Sequence, residues 1–146
     1  MMKLKHVGLF LAMVCPAIAS TSVDRLIERL VRIESNGNAA AIGDGGKAFG
    51  ILQIHAITVQ EANRVAKTRY THADMMNATK SREVARIVLN YYSKHIQKTT
   101  GRPALDKELA FIWNGGGAAW KRVSNPVSDS KQKNLEVYWK KVSLVR

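Results

Sequence analysis

ESNGNAAAIGDGGKAFGILQIH, running from Glu34 to His55, is the stretch on which the reading of this chain turns. On its N-terminal side Val23, Ile27, Leu30 and Glu34 follow one another at i, i+4, i+7 and i+11, so all four lie on one face of a helix. That spacing predicts a helix over Ser22–Glu34, with Ser22 or Thr21 as N-cap and Asp24 in the first turn. Ser35-Asn36-Gly37-Asn38 stops it, with Gly37 as the C′ residue. Small residues fill the loop from Ala39 to Gly50, which carries Gly43, Gly45, Gly46 and Gly50. A small hairpin in this loop is the one strand candidate in the chain. A second helix is expected to start near Ile51 and continue to about Lys67.

Outward from there the pattern stays helical and contains no internal repeat. Thr79 is an N-cap candidate for a long helix from Lys80 to about Thr99, with Val84, Ile87, Val88, Tyr91 and His95 on its buried side. Gly101 closes that helix, and Pro103 opens another that ends at Trp113-Asn114. Gly115 to Gly117 make a tight break. The basic segment Trp120-Lys121-Arg122, a polar loop from Ser124 to Ser130 and an amphipathic helix to about Val142 follow. The expected fold is mainly α, a single compact helical domain over residues 20–146 with a groove and at most a small β-hairpin. A length of 146 residues suits one domain.

The first residues differ in kind. Lys3 and Lys5 precede an apolar run from Val7 to Ala17, and Ala17-Ile18-Ala19 has the small-x-small form of a cleavage site, so residues 1–19 read as a secretory signal peptide. The run falls short of the ~18–20 apolar residues that span a bilayer, and no later segment approaches that length. An exported chain, periplasmic or secreted, without an integral membrane segment after cleavage is expected. Cys15, the one cysteine, lies in the leader between Val14 and Pro16, a poor context for lipidation. Its removal leaves neither a disulfide nor a catalytic thiol. Losing Lys3 and Lys5 takes the net charge from +12 to +10, which favours encounter with polyanions without selecting one.

Of the 11 acidic residues, most have plain explanations. Asp24, Asp74, Asp106 and Glu108 fall in first turns, where they complement the helix dipole. Glu28 with Arg32 and Glu136 with Lys140 have the favourable four-residue spacing. Glu61, Glu83 and Asp129 have polar neighbours and read as solvated. Glu34 stands apart, because a carboxyl at the end of an apolar stripe is desolvated and its pKa rises, as a general acid near neutrality requires. A buried glutamate satisfied by a cation, or one turned out at a frayed helix end, would give the same pattern. Asp44, in the glycine-rich loop, is either an Asx-turn residue or a second carboxylate facing Glu34 across a groove. The loop lacks the GxxxxGK[ST] spacing of a phosphate loop. His55, His72 and His95 are too scattered for a metal site, and nothing calls for a cofactor.

The segment Glu34 to His55 resembles the active-site region of the lysozyme-like superfamily, particularly lytic transglycosylases (SLT-type domain) and invertebrate-type lysozymes. Glu34-Ser35 is similar to the family's Glu-Ser at a helix end, and Gly50-Ile51-Leu52-Gln53-Ile54 to its Gly-x-x-Gln-Ile stretch. Ala110-Phe111-Ile112-Trp113-Asn114-Gly115-Gly116 resembles the aromatic-Asn-Gly segment that faces the glutamate. The resemblance covers essentially the whole chain after the leader. It implies cleavage of the β-1,4 bond between N-acetylmuramic acid and N-acetylglucosamine in peptidoglycan, an anionic cell-wall polymer. Glu34 would be the acid, Ser35 would help hold it, and Gln53 and Asn114 would bind substrate or orient the acid. Trp113 stands where transglycosylases commonly carry Tyr, which keeps an apolar contact and loses a hydroxyl. Gly115 to Gly117 would let the backbone approach the sugar closely. Asp44 matches the second carboxylate of invertebrate-type lysozymes after a one-residue shift, so hydrolysis and an anhydro-product route are both open here.

Two other classes of function compete. A catalytically inactive peptidoglycan-binding module would keep the groove, but would not require Glu34 along with Gln53 and Asn114. An exported nucleic-acid-binding protein is suggested by charge alone, and the basic residues lack the interleaved aromatics that such a surface uses.

Overall fold

Helix α1 (Ser22–Glu34) buries Val23, Leu26, Ile27, Leu30 and Val31, a wider stripe than its i, i+4 ladder alone. In the computed structural model, which describes residues 22–146, α1 packs against three later helices, at Ala78–Thr100, Asp106–Gly115 and Ser130–Leu144. The leader and Thr21 lie outside the described residues. α1 ends in an αL motif: Asn36 N–H donates to Arg32 O, and Gly37 N–H reaches Val31 O. Asn36, at φ 53°, therefore holds the left-handed C′ place expected for Gly37, which comes one residue later.

The loop does form a hairpin. β1 (Ile42–Gly43) and β2 (Ala48–Phe49) run antiparallel with Ile42 opposite Phe49 and Gly43 opposite Ala48. Asp44, Gly45 and Gly46, at φ 47°, 60° and 88°, turn the chain between them. The helix expected from Ile51 begins only at Ala56: α2 spans Ala56–Ala66. Gly50 and Gln53 are left-handed, at φ 74° and 48°, and Phe49 and Ile54 exchange both backbone hydrogen bonds. Ile51, Leu52 and Ile54 are thus core residues of a turn, which helical periodicity in the sequence does not distinguish from a first helical turn. Gly50 is obligatory on two counts, since a Cβ there would overlap the Met75 carbonyl that also accepts from Ser81 Oγ.

Helix α3 (Ala78–Thr100) starts two residues earlier than expected and is capped by Asn77, not Thr79; the Asn77 side chain accepts from Thr79 N and Lys80 N, each at 3.0 Å. Gly101, left-handed, closes it. Val84 and Val88 are buried as the pattern requires, Ile87 and Tyr91 only in part. His95 is exposed, its ring edge-on to Trp120, and Ile96 takes the core position instead. Helix α4 (Asp106–Gly115) begins three residues beyond Pro103. α5 (Lys121–Ser124) is one turn, and α6 (Ser130–Leu144) is capped by Asp129, which accepts from Gln132 N at 2.7 Å. Among the described residues no helix is long and apolar enough to cross a membrane.

Several carboxylates have other partners than local spacing suggests. Glu28 bonds Arg82 across α1 and α3 at 2.7 Å, and Glu136 bonds Lys107 across α6 and α4 at 2.8 Å. Glu83 accepts from Tyr70 and Glu61 from Arg64, while Asp129 is both cap and partner of Arg122. Glu108 is fully buried: it accepts from Leu105 N–H at 2.9 Å and from Arg102 at 2.6 and 3.0 Å. Burial pushes its carboxyl up, but these donors outweigh burial and hold it below the ordinary range. Arg102→Ala leaves that carboxylate buried without its counter-ion. Because Arg102 is itself partly exposed, the loss should be less than for a fully buried pair, and it should show as a lowered urea midpoint at pH 7. Adding Glu108→Gln should recover part of it, and an unchanged urea midpoint in the single variant would deny the pair any stabilising part.

Candidate active site

The C-terminal end of α1 delivers Glu34 to the wall of a cavity of about 300 Å³, lined also by Asp44, Ala48, Gln53, Ile54, His55, Thr58, Trp113 and Asn114. Residues from α1, the hairpin, the turn before α2 and the end of α4 thus meet in one place. His55, Thr58, Trp113 and Asn114 also line a second cavity of about 620 Å³, whose walls include Ile57, Tyr92 and Ile112. The two make one trough that passes Glu34, polar beside the carboxyl and more apolar beyond it.

Two donors hold Glu34. Tyr138, on the inner face of α6, donates its hydroxyl to Glu34 Oε1 at 2.6 Å, and the Trp113 side chain from α4 lies beside the same carboxylate as a second, weaker donor. Burial nevertheless dominates and raises the Glu34 pKa; Tyr138, Trp113 and the nearby His55 oppose it without cancelling it. The Tyr138 hydroxyl is itself pushed far above its ordinary value, by burial first and then by the adjacent carboxylate, so it stays a donor. Sequence reading missed Tyr138. The available signal was its place between Leu135 and Val142 on the buried face of α6, where a phenol requires a hydrogen-bond partner.

Gln53 lines the cavity from its left-handed turn; its Nε2 donates to Gly50 O at 3.0 Å and Ala41 O at 3.3 Å. The amide oxygen lies where a Cβ of Gly43 would be, so a glycine is needed there for Gln53 to occupy this pose. Asn114 is exposed on the rim of both cavities. Asp44 reaches the same cavity, but its side chain is 63% exposed and lies 3.4 Å from His55 Nε2. Two expected site residues are not among those lining either cavity. Ser35 donates to Ile51 O at 2.8 Å, tying the end of α1 to the turn that carries Gln53. Gly115 is packed against Leu135 and Ala119, leaving α4 and α6 in close contact, while Gly116 and Gly117 reach the second cavity. His72 fastens the turn from the other side: its Nε2 is 2.7 Å from Ile54 O, and its ring stacks on Phe49. No group of three or more metal-ligating side chains occurs among the described residues.

A desolvated carboxyl in a trough, flanked by side-chain amides and an indole, is an arrangement chemically able to exchange a proton with a bound polar molecule. The model of one family, the transglycosylase SLT domain, matches residues 17–135. The chain belongs to that family. Its fold is accordingly the lysozyme-like α+β type, mostly helical with one two-stranded sheet, and its function is of the lytic transglycosylase type, directed at peptidoglycan. No curated protein and no solved structure matches the chain. Tyr138 falls just beyond the matched span of the SLT domain, although it touches the carboxyl at the centre of the trough.

The raised Glu34 pKa has a consequence for stability. A carboxyl that binds its proton more tightly when folded stabilises the protein relatively at low pH, and this is lost as pH rises from the unfolded toward the folded value. Glu34→Gln carries no such penalty, so its melting temperature relative to the unsubstituted SLT domain should climb between pH 4 and pH 8. A gap constant over that range in thermal melts would contradict a desolvated carboxyl.

Proposed function

We propose that this SLT domain cleaves the β-1,4 bond between N-acetylmuramic acid and N-acetylglucosamine with Glu34 as its one catalytic carboxyl, leaving an anhydro-sugar end. The observation that carries this reading is the contrast between the two carboxyls of the same cavity. Glu34 is desolvated with its pKa raised, and two donors from distant helices fix it. Asp44 is mostly exposed, on a turn of three left-handed residues, and its nearest ionic partner is His55. A nucleophile or oxocarbenium stabiliser has to be held against the sugar ring, and Asp44 has no such support.

In the proposed reaction the protonated Glu34 gives its proton to the bridging oxygen as the bond from that oxygen to C1 of the muramic acid breaks. The C6 hydroxyl of the same sugar attacks C1, and its proton returns to Glu34. No water is consumed, so the two fragments together have the composition of the uncut chain. Tyr138 and Trp113 orient the carboxyl and stabilise its anion between the two proton transfers. Gln53 and Asn114 offer amide donors and acceptors that suit N-acetyl and hydroxyl groups. Ser35 and Gly115 act behind the wall, as positioning residues. The substrate lies outside the cytoplasm, so the chain works after export, with the leader at residues 1–19 removed. Its excess of basic residues gathers it on an anionic polymer.

A second reading, hydrolysis through Asp44, is favoured by one observation: Asp44 lines the same cavity as Glu34. The product separates the two. Glu34→Gln should fold and lose ~10²–10⁴-fold or more in rate on purified peptidoglycan. Asp44→Asn should turn over close to the unsubstituted rate, and mass spectrometry should find muropeptides lighter by one water than reducing-end products. Reducing-end products with an inactive Asp44→Asn would establish the two-carboxyl route. Retained binding to walls with no soluble product from the unsubstituted chain would make it an inactive binding module.

Tyr138→Phe removes a donor that favours the Glu34 anion, and so should raise the Glu34 pKa further. The rate should then fall at a higher pH than in the unsubstituted enzyme, on the alkaline side of its profile. A limb that stays in place or moves down would mean that Tyr138 does not act on the proton affinity of Glu34.

A further inference from the structure

Helix α6 has two faces of opposite character. Leu135, Tyr138 and Val142 turn inward, with Tyr138 reaching Glu34. On the other side Lys133, Val137, Lys140 and Leu144 succeed one another at i, i+4, i+7 and i+11 and form a single outward stripe, flanked at its end by Lys141 and Arg146. All six are exposed, Val137 to 50% and Leu144 to 73%. The four cationic side chains make no ion pair with a carboxylate among the described residues. Glu136, the acid on the same helix, is taken up by Lys107 and Gln132. The stripe is therefore positive and not self-neutralised, and its lysines alternate with apolar side chains.

We propose that this face of α6 docks the protein on a membrane surface rich in anionic lipid. The composition of the stripe argues for a bilayer over a soluble polyanion. Val137 and Leu144 gain nothing from a phosphate polymer in water, whereas a bilayer boundary can bury both beside the lysines. At a bilayer surface ammonium groups meet headgroup phosphates while short apolar side chains enter the boundary with the acyl chains. The contact is peripheral and reversible. Since the stripe lies opposite Tyr138 on a helix roughly 10–12 Å across, a docked molecule holds its trough off the lipid and open to wall strands. Docking would confine cleavage to the layer of wall nearest the membrane. None of this depends on any step of the proposed reaction.

The test uses protein recovered after export and vesicles of equal parts phosphatidylglycerol and phosphatidylcholine, with pure phosphatidylcholine vesicles and soluble polyphosphate as comparisons. Co-sedimentation should occur with the anionic vesicles, not with the neutral ones, and should fall with added salt. Lys133→Gln combined with Lys140→Gln should weaken vesicle binding by about twenty-five-fold, at about fivefold for each charge removed near such a surface. Val137→Ser with Leu144→Ser should weaken binding to vesicles and leave binding to polyphosphate unchanged. All these variants should keep the circular dichroism spectrum and melting temperature of the unsubstituted protein, which shows that they are folded. Undiminished vesicle binding by the lysine pair variant would overturn the proposal. So would vesicle binding indifferent to the apolar pair, which would make the stripe a site for soluble polyanions.

Discussion

The hydrogen bond from Tyr138 to Glu34 joins residues 104 apart in sequence and sets the terms for the rest of the molecule. A carboxyl at the end of an apolar helix face is costly to bury without donors, and neither donor here comes from its own helix. Trp113 comes from the end of α4 and Tyr138 from the middle of α6. Both helices have to pack against α1 for the bonds to form, and Gly115 lets α4 approach Leu135 of α6 closely enough. Core packing and the satisfaction of the buried carboxyl are thus one arrangement. The donors lower the proton affinity and burial raises it, and the excess of burial leaves a group able to give a proton and take it back.

A second constraint lies across the trough, where the backbone makes the shape. Ser35 holds Ile51, Gly50 N–H reaches Ala41 O, and His72 holds Ile54, so a turn of only a few residues is fastened to α1, to the hairpin and to the segment before α3. The left-handed residues Gly50 and Gln53 lie inside this fastened turn. Left-handed backbone at a non-glycine residue persists where its surroundings over-determine it, and Gln53 meets that condition. Asp44 is left-handed too, but in a turn with glycines on its C-terminal side and its side chain in solvent. The same backbone feature accompanies a hydrogen-bonded amide in one place and a mostly exposed carboxylate in the other.

What the sequence disclosed follows the range of the interactions involved. The span of α1 was legible, because apolar spacing is local, and Glu34 was conspicuous for the same reason, while the residue that ends the helix was placed one position late. The hairpin could be placed from its glycines. The start of α2 was not legible: Ile51, Leu52 and Ile54 are apolar in a way that suits a helix equally well, and the bridge to Phe49 that makes them a turn is tertiary. Asn77 was passed over for Thr79, although either can cap, because the choice depends on where α3 is allowed to begin. Glu28, Glu108 and Glu136 were given local explanations while their cations lie on other helices or in another loop. Glu34, Asp44, Gln53, Trp113 and Asn114 do converge on one cavity, as the two motif segments implied, whereas Ser35 and Gly115 stand behind it. Tyr138 stayed hidden because an amphipathic pattern records that a residue is buried, and does not record what it is buried against.

Helix α6 ties these levels together. Its inward residues are fixed by the need to satisfy Glu34, and that requirement sets the rotation of the helix about its own axis. Once the rotation is set, the outward positions are set with it, and they hold Lys133, Val137, Lys140 and Leu144. Turning the helix to hide Val137 and Leu144 would carry Tyr138 away from the carboxyl and leave a buried acid with one donor fewer. The exposed apolar side chains are therefore not a residue of imperfect packing that a small rearrangement could remove. The bond that satisfies the buried Glu34 carboxyl also determines which surface the protein shows on its far side.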